Sequence, residues 1–88
     1  MTRKELPDIL LSILKNMGGS ASMMEVFKFF WKEYGAKISQ TEDIFYTWNY
    51  DIRWAATNLR KRGLMKPAKK QENTYGEDIS SKGIWELV

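Results

Sequence analysis

Neither cysteine nor histidine occurs in this chain of 88 residues. Without cysteine there are no disulfides or thiolate metal sites, and because small secreted domains usually depend on disulfides, an intracellular, cytoplasmic location is favoured. The lack of both residue types removes the commonest catalytic nucleophiles, general bases and metal ligands. We therefore predict a protein that is not an enzyme and that needs no cofactor or metal.

Long apolar runs are also missing. Residues 9–14 are interrupted by Ser12 and followed at once by Lys15 and Asn16, which argues against a signal peptide or a membrane span. No repeat or low-complexity tract divides the chain. Hydrophobic residues make up 43% of the sequence, with four Trp, four Tyr and four Phe, which is enough for one core. We expect a single domain over residues 1–88.

A first helix is predicted over about residues 5–17, where apolar side chains recur at three- and four-residue steps. Pro7 stands near its start, where the missing N–H does no harm. Gly18 and Gly19 end it. Residues 20–22 then form a short connector or a single edge strand.

A second helix is predicted over about residues 22–34. Ser22 and Glu25 match a capping box, and Gly35 fits the left-handed residue that closes many helices. An apolar stripe at helical spacing runs along this segment, and aromatic residues in such a stripe fit a core better than a ligand box. The stripe consists of Val26, Phe27, Phe30, Trp31 and Tyr34.

A third helix is predicted over about residues 48–62, capped by Thr47 or Asn49 and ended by Gly63. Residues 41–45 before it could form a separate short helical turn. At 100° per residue this helix has a narrow apolar side and a polar and aromatic side. The apolar side carries Ile52, Ala55, Ala56 and Leu59, and the other side carries Tyr50, Arg53, Trp54, Thr57 and Lys61.

Two strands are predicted near the end of the chain, at about residues 64–67 and 83–88, joined by a basic loop over 68–82. The second strand alternates, with Trp85 and Leu87 on one side. The fold class is therefore α+β and mainly α. Three helices and a small antiparallel β-hairpin wing make up a winged helix-turn-helix arrangement.

Charge is distributed unevenly along the chain. Residues 1–45 carry six Lys or Arg and six Asp or Glu, whereas residues 51–70 carry seven bases and one acid, a net charge of +6. Such a cluster attracts phosphate backbones, acidic protein surfaces or anionic lipid. A simple solvated charged face is the alternative.

In a winged helix-turn-helix protein the third helix enters the major groove and the hairpin contacts the neighbouring backbone. The candidates for base reading are Tyr50, Arg53, Trp54, Thr57 and Asn58. The candidates for phosphate contact are Arg60, Lys61, Arg62, Lys66, Lys69, Lys70 and Lys82. Two alternatives stay open: Trp54 could pack against the second helix or the wing, and Asn58 could be an ordinary polar residue.

Three groups of residues follow the pattern of a known family. They are Leu6, Pro7 and Asp8 with the apolar first helix, then Trp54, Ala55, Leu59, Lys61, Gly63 and Leu64, and finally Gly83, Ile84, Trp85, Glu86 and Leu87. With these residues most of the chain resembles the N-terminal winged-helix domain of Mrr-type restriction proteins. The resemblance implies a DNA-binding attachment to a nuclease that cuts modified DNA. That family often has a basic residue shortly before the Trp-Ala pair, where this chain has Asp51.

These observations predict a non-catalytic module that binds double-stranded DNA, either as the targeting domain of a restriction-like system or as a transcription regulator. The alternative is a protein interaction or dimerisation module that uses the face of the third helix, with Tyr50 and Trp54 as anchors. No membrane contact is expected. A homodimer and a separate or fused effector domain both remain open.

Overall fold

A computed structural model describes residues 1–67 and 83–88 of the chain. In this part the fold is mainly α, with three helices and one small antiparallel sheet of two strands. None of its helices is both long and apolar enough to cross a membrane. In chain order the elements are α1 (Leu6–Asn16), β1 (Ser20–Ser22), α2 (Met23–Tyr34), α3 (Ile44–Lys61) and β2 (Ile84–Glu86), with 3-10 turns at Arg3–Glu5 and Gly35–Lys37.

Helix α1 lies where the apolar spacing predicts it, with Pro7 in its first turn. Both glycines that follow it have positive φ angles, 83° at Gly18 and 91° at Gly19, which residues with a Cβ rarely adopt. The backbone N–H of Gly19 donates to the carbonyl of Leu14 at 2.7 Å and so satisfies one carbonyl of the last turn. The glycine pair thus ends α1 and turns the chain into β1.

One of the two hydrogen bonds of the predicted capping box begins helix α2, since the backbone N–H of Glu25 donates to the Ser22 hydroxyl oxygen at 3.1 Å. Its end differs from the expectation. Gly35 is right-handed, with φ −57° and ψ −40°, and does not form a left-handed cap. Glycine fits here for another reason, since a Cβ at Gly35 would lie only 2.9 Å from Cδ2 of Trp31.

Helix α3 begins at Ile44, about one turn earlier than predicted, and includes Ile44 and Phe45, the last two residues of the segment expected to form a separate turn. Neither Thr47 nor Asn49 caps it. The Thr47 hydroxyl donates to the Asp51 carboxylate at 2.7 Å, and its oxygen lies 3.3 Å from the Asp43 carbonyl oxygen. The early start has a simple cause, because Ile44 is buried and extends the apolar side of the helix by two turns before Ile52.

The sheet pairs β1 with β2, and Ala21 stands opposite Trp85. The predicted hairpin between residues 64–67 and 83–88 is reduced to one bridge, Met65 to Leu87, flanked by a bond from Lys66 N–H to the Glu86 carbonyl at 2.8 Å. The ladder forms with β1 because β1 would otherwise leave its backbone groups unpaired beside the core. The loop expected over residues 68–82 lies outside the described residues.

The core fills the space between the three helices. Phe30 of α2 is fully buried, and Trp85 of β2 is buried at the edge of the same cluster. The alternation predicted for the last strand is present, since Ile84 remains 58% exposed beside Trp85. The remaining fully buried large side chains are Leu6, Leu10, Ile13, Leu14, Val26, Ile52 and Leu59.

Candidate functional site

The outer face of α3 is exposed along its length. Tyr50, Arg53, Thr57 and Lys61 follow one another at three- and four-residue steps, and all four are exposed. On the opposite side of the helix, the predicted apolar residues Ile52, Ala55, Ala56 and Leu59 are buried. The helix therefore offers a polar and basic surface while its other side holds the core together. We call these four exposed residues the α3 face.

Asp51 is the only acidic residue between positions 44 and 67, and it points away from the α3 face. It is buried to 8% exposure and accepts a hydrogen bond from the Thr47 hydroxyl at 2.7 Å. Its other carboxylate oxygen lies 3.7 Å from Nε of Arg3. The N-terminal segment thus covers the one negative charge of α3, and the α3 face carries no carboxylate.

Trp54 stands apart from the other base-reading candidates. It is half-buried against the core, and the Arg3 guanidinium carbon lies 4.1 Å from the centre of its ring. This distance fits a cation–π contact. Arg3 thus contacts both Asp51 and Trp54 and covers one face of the indole. Asn58 is half-buried as well, which leaves Tyr50, Arg53 and Thr57 as the exposed members of the group.

The bases at the end of α3 fall into two groups. Arg60 is half-buried, and its Nε donates to the Lys66 carbonyl at 3.2 Å. Burial lowers the pKa of the Arg60 guanidinium, which nevertheless stays charged at neutral pH. The ammonium of Lys66 lies 3.1 Å from a carboxylate oxygen of Glu86.

Arg60 and Lys66 therefore help to join the end of α3 to the sheet. Lys61 and Arg62, in contrast, are exposed, and no salt bridge to them occurs within the described part of the chain. The other expected phosphate contacts, Lys69, Lys70 and Lys82, lie outside it.

The structure has a second candidate surface, which the sequence did not predict. It is an open apolar groove between α2 and the first half of α3, with a volume of about 500 Å³, and we call it the aromatic groove. Trp31 and Trp48 stack within it, with ring centres 5.4 Å apart and planes at 22°. The residues that line it are Met24, Phe27, Lys28, Trp31, Lys32 and Trp48.

A signal for this groove exists in the sequence. Met24, Lys28 and Trp31 recur at helical spacing, which places them on one side of α2. Of these three residues only Trp31 was assigned to the predicted core stripe, because aromatic residues at helical spacing are typical of a core. In the structure Trp31 is 44% exposed and Met24 is 60% exposed, so this edge of the aromatic stripe faces out.

No family model, no curated protein and no solved structure matches this chain. The fold and the two surfaces are therefore the basis for assigning a function.

Proposed function

We propose that this chain is a non-catalytic DNA-binding module of the winged helix-turn-helix class, with the α3 face in the major groove of double-stranded DNA. The orientation of Asp51 carries the proposal. Because that carboxylate is buried beneath Arg3, every formal charge on the α3 face is positive. A phosphate backbone would meet no repulsive group there.

The spacing of the exposed side chains fits a helix that reads base edges. Arg53 and Thr57 lie one turn apart, about 6 Å along the axis, which is close to the rise of two base pairs. Arginine can pair bidentately with guanine, and a threonine methyl can contact thymine. Lys61 and Arg62, at the end of the helix, are exposed, and we propose that they contact backbone phosphates.

The proposal includes a wing formed by the chain between residues 67 and 83. The bridge between Met65 and Leu87 brings the chain on either side of residues 68–82 together, as the base of a hairpin would. The intervening sequence supplies Lys69, Lys70 and Lys82, which we propose as backbone contacts. The resemblance to Mrr-type domains supports a role as the targeting domain of a restriction-like system, with a transcription regulator as the other option.

One observation favours a second function, which is association with a protein through the same face. Tyr46 and Tyr50 are 73% and 67% exposed and lie one turn apart on the outer side of α3. Exposed tyrosines are frequent anchors of protein interfaces. In that case the α3 face would be the contact between two copies, and DNA would compete with dimerisation.

Fluorescence anisotropy of labelled duplexes, titrated at several salt concentrations, tests the first function. We expect affinity to fall steeply with salt, by about 0.9 in the log–log slope for each phosphate neutralised. Lys61→Ala should lower that slope by about one, and Arg53→Ala should relax the preference for one base pair by about 1–3 kcal/mol.

Lys15→Ala is the matched control, since it removes the same charge from an exposed position on α1. Absence of binding at low salt, or an affinity that salt does not change, would exclude the proposal. Sedimentation equilibrium without DNA separates the second function. A tight dimer that Tyr50→Ala dissociates would assign the α3 face to protein association.

A further inference from the structure

The aromatic groove combines exposed apolar surface with a floor that is already ordered. Trp48 contacts three other rings: it stacks on Phe30 at 5.4 Å and on Trp31 at 5.4 Å, and meets Phe27 edge-on at 5.6 Å. Phe30 is fully buried, so the floor is anchored to the core. A ligand would therefore meet a preformed surface and would not have to order it.

The edge of the aromatic groove is positively charged. Lys28 and Lys32 lie one turn apart on α2, and none of the residues that line the groove is acidic. Neither lysine forms a salt bridge within residues 1–67 and 83–88. At one end of the groove, the Arg53 guanidinium carbon lies 5.7 Å from the centre of the Phe27 ring. A matching ligand would have an apolar surface against the aromatic side chains and acidic groups beside Lys28 and Lys32.

The dimensions favour a short helix as the ligand. The lining residues of α2 extend from Met24 to Lys32, which is about 12 Å along the helix axis, or two turns. A second amphipathic helix laid along this length would place large side chains one turn apart over the tryptophans. Carboxylates spaced by one turn on its edge would match the spacing of Lys28 and Lys32.

We propose that the aromatic groove docks an acidic amphipathic helix of a partner protein. Its apolar side chains lie on Trp31 and Trp48, and its carboxylates pair with Lys28 and Lys32. This site lies between α2 and the first half of α3 and so goes beyond the proposed DNA surface, since none of the residues that line the groove belongs to the α3 face. The protein would then carry a DNA-binding face and a separate surface that recruits an effector.

Two designed peptides test the proposal with the full chain. Both are alanine-based helices with leucine and tryptophan one turn apart. One carries glutamate on the flanking positions, and the other carries lysine there. We expect the glutamate peptide to bind and to shift the amide and indole NMR signals of Trp31 and Trp48. The lysine peptide should bind at least about tenfold more weakly, since each exposed ion pair contributes up to about a factor of five.

Charge reversal gives the sharper result. The double substitution Lys28→Glu and Lys32→Glu should weaken the glutamate peptide by about tenfold or more and should strengthen the lysine peptide. Lys15→Glu is the matched control on α1 and should change neither. Met24→Glu introduces a charge at a 60% exposed position of the groove and should weaken the glutamate peptide without disturbing the fold.

Equal binding of the two peptides, or shifts that map away from the groove, would overturn the proposal. Two further results would do the same. If duplex DNA shifts the Trp31 and Trp48 signals as the glutamate peptide does, and the double substitution of Lys28 and Lys32 weakens DNA binding as strongly as peptide binding, the groove belongs to nucleic acid. If the chain self-associates and Trp31→Ala abolishes this, the ligand is a second copy. Failure here leaves the DNA titration unaffected, because Lys28 and Lys32 lie off the α3 face.

Discussion

Replacement of Gly35 by alanine should destabilise the protein, although the backbone at this position suits alanine. With φ −57° and ψ −40°, the residue is right-handed, and such a substitution normally stabilises by about 0.4–1 kcal/mol through the unfolded chain. Here the new Cβ would lie 2.9 Å from Cδ2 and 3.0 Å from Cε3 of Trp31. Real Cβ atoms do not approach so closely, so the indole must move.

The size of the destabilisation follows from the aromatic contacts that the Trp31 indole would lose. Trp31 stacks on Trp48 at 5.4 Å and tilts against Phe45 at 6.2 Å. Each aromatic pair contributes about 0.5–1.5 kcal/mol beyond the burial of its area, so loss of both would destabilise by about 1–3 kcal/mol. After the gain from alanine is subtracted, we expect a net destabilisation of about 1 kcal/mol. Urea unfolding followed by far-UV circular dichroism measures it.

The Trp31→Ala variant provides a second background in which to measure the same substitution. When Trp31 is already alanine, the Cβ at position 35 meets no indole, and Gly35→Ala should then stabilise by about 0.4–1 kcal/mol. The substitution should therefore change sign between the two backgrounds. Near-UV circular dichroism should report altered tryptophan stacking only when Trp31 is present. If Gly35→Ala stabilises both backgrounds equally, the contact with the indole does not explain the glycine.

Three further substitutions can be measured in the same unfolding assay. Gly63→Ala should destabilise by about 1–2 kcal/mol, because φ is +77° and a residue with a Cβ rarely adopts it. The whole cost would come from the backbone conformation, since no neighbour lies within 4 Å of the added Cβ, and an unchanged stability would contradict a left-handed backbone there. Ser22→Ala should destabilise by about 1 kcal/mol through loss of the cap to the Glu25 N–H, whereas Ser22→Asp should restore it. Leu59→Ala should destabilise by about 2–5 kcal/mol because the side chain is fully buried, and a loss below about 1 kcal/mol would mean that the site collapses around the cavity.

Features that depend on neighbours along the chain could be predicted from the sequence. The apolar spacing placed α1 and α2 to within one or two residues, and it identified the buried side of α3 from Ile52 to Leu59. The cap at Ser22 and the turn at Gly63 are likewise local, since each involves residues only a few positions apart. Helical periodicity and terminal signals of this kind act within one or two turns.

Features that depend on distant neighbours were predicted incorrectly or missed. Threonine and asparagine cap helices but are also tolerated within them, so only the burial of Ile44 decides that α3 continues through Thr47 and Asn49. The pairing of β1 with β2 joins segments about sixty residues apart along the chain, and no local pattern specifies it. Gly35 follows a helix, as a helix-closing glycine does, but glycine is needed there because the Trp31 side chain, one turn earlier, leaves no room for a Cβ.

The candidate site was predictable in composition but not in orientation. The excess of bases between positions 51 and 70 can be counted in the sequence, but the sequence alone suggested that Asp51 would put a negative charge on the same surface. Asp51 stands four residues before Ala55, which places it on the inner side of the helix, and this spacing could have revealed its direction. What covers it could not be predicted, because Arg3 lies far away along the chain.

The two proposed surfaces meet at Arg53. This side chain is exposed on the α3 face, yet its guanidinium also lies over the Phe27 ring at the end of the aromatic groove. A guanidinium drawn to a base edge would leave that ring, and a helix docked in the groove would pack against Phe27 with the guanidinium in place. Occupation of either surface therefore changes the state of Arg53 that the other requires. By linkage, the effect on the two binding free energies must be equal in both directions, so DNA and an acidic helix would weaken each other to the same degree.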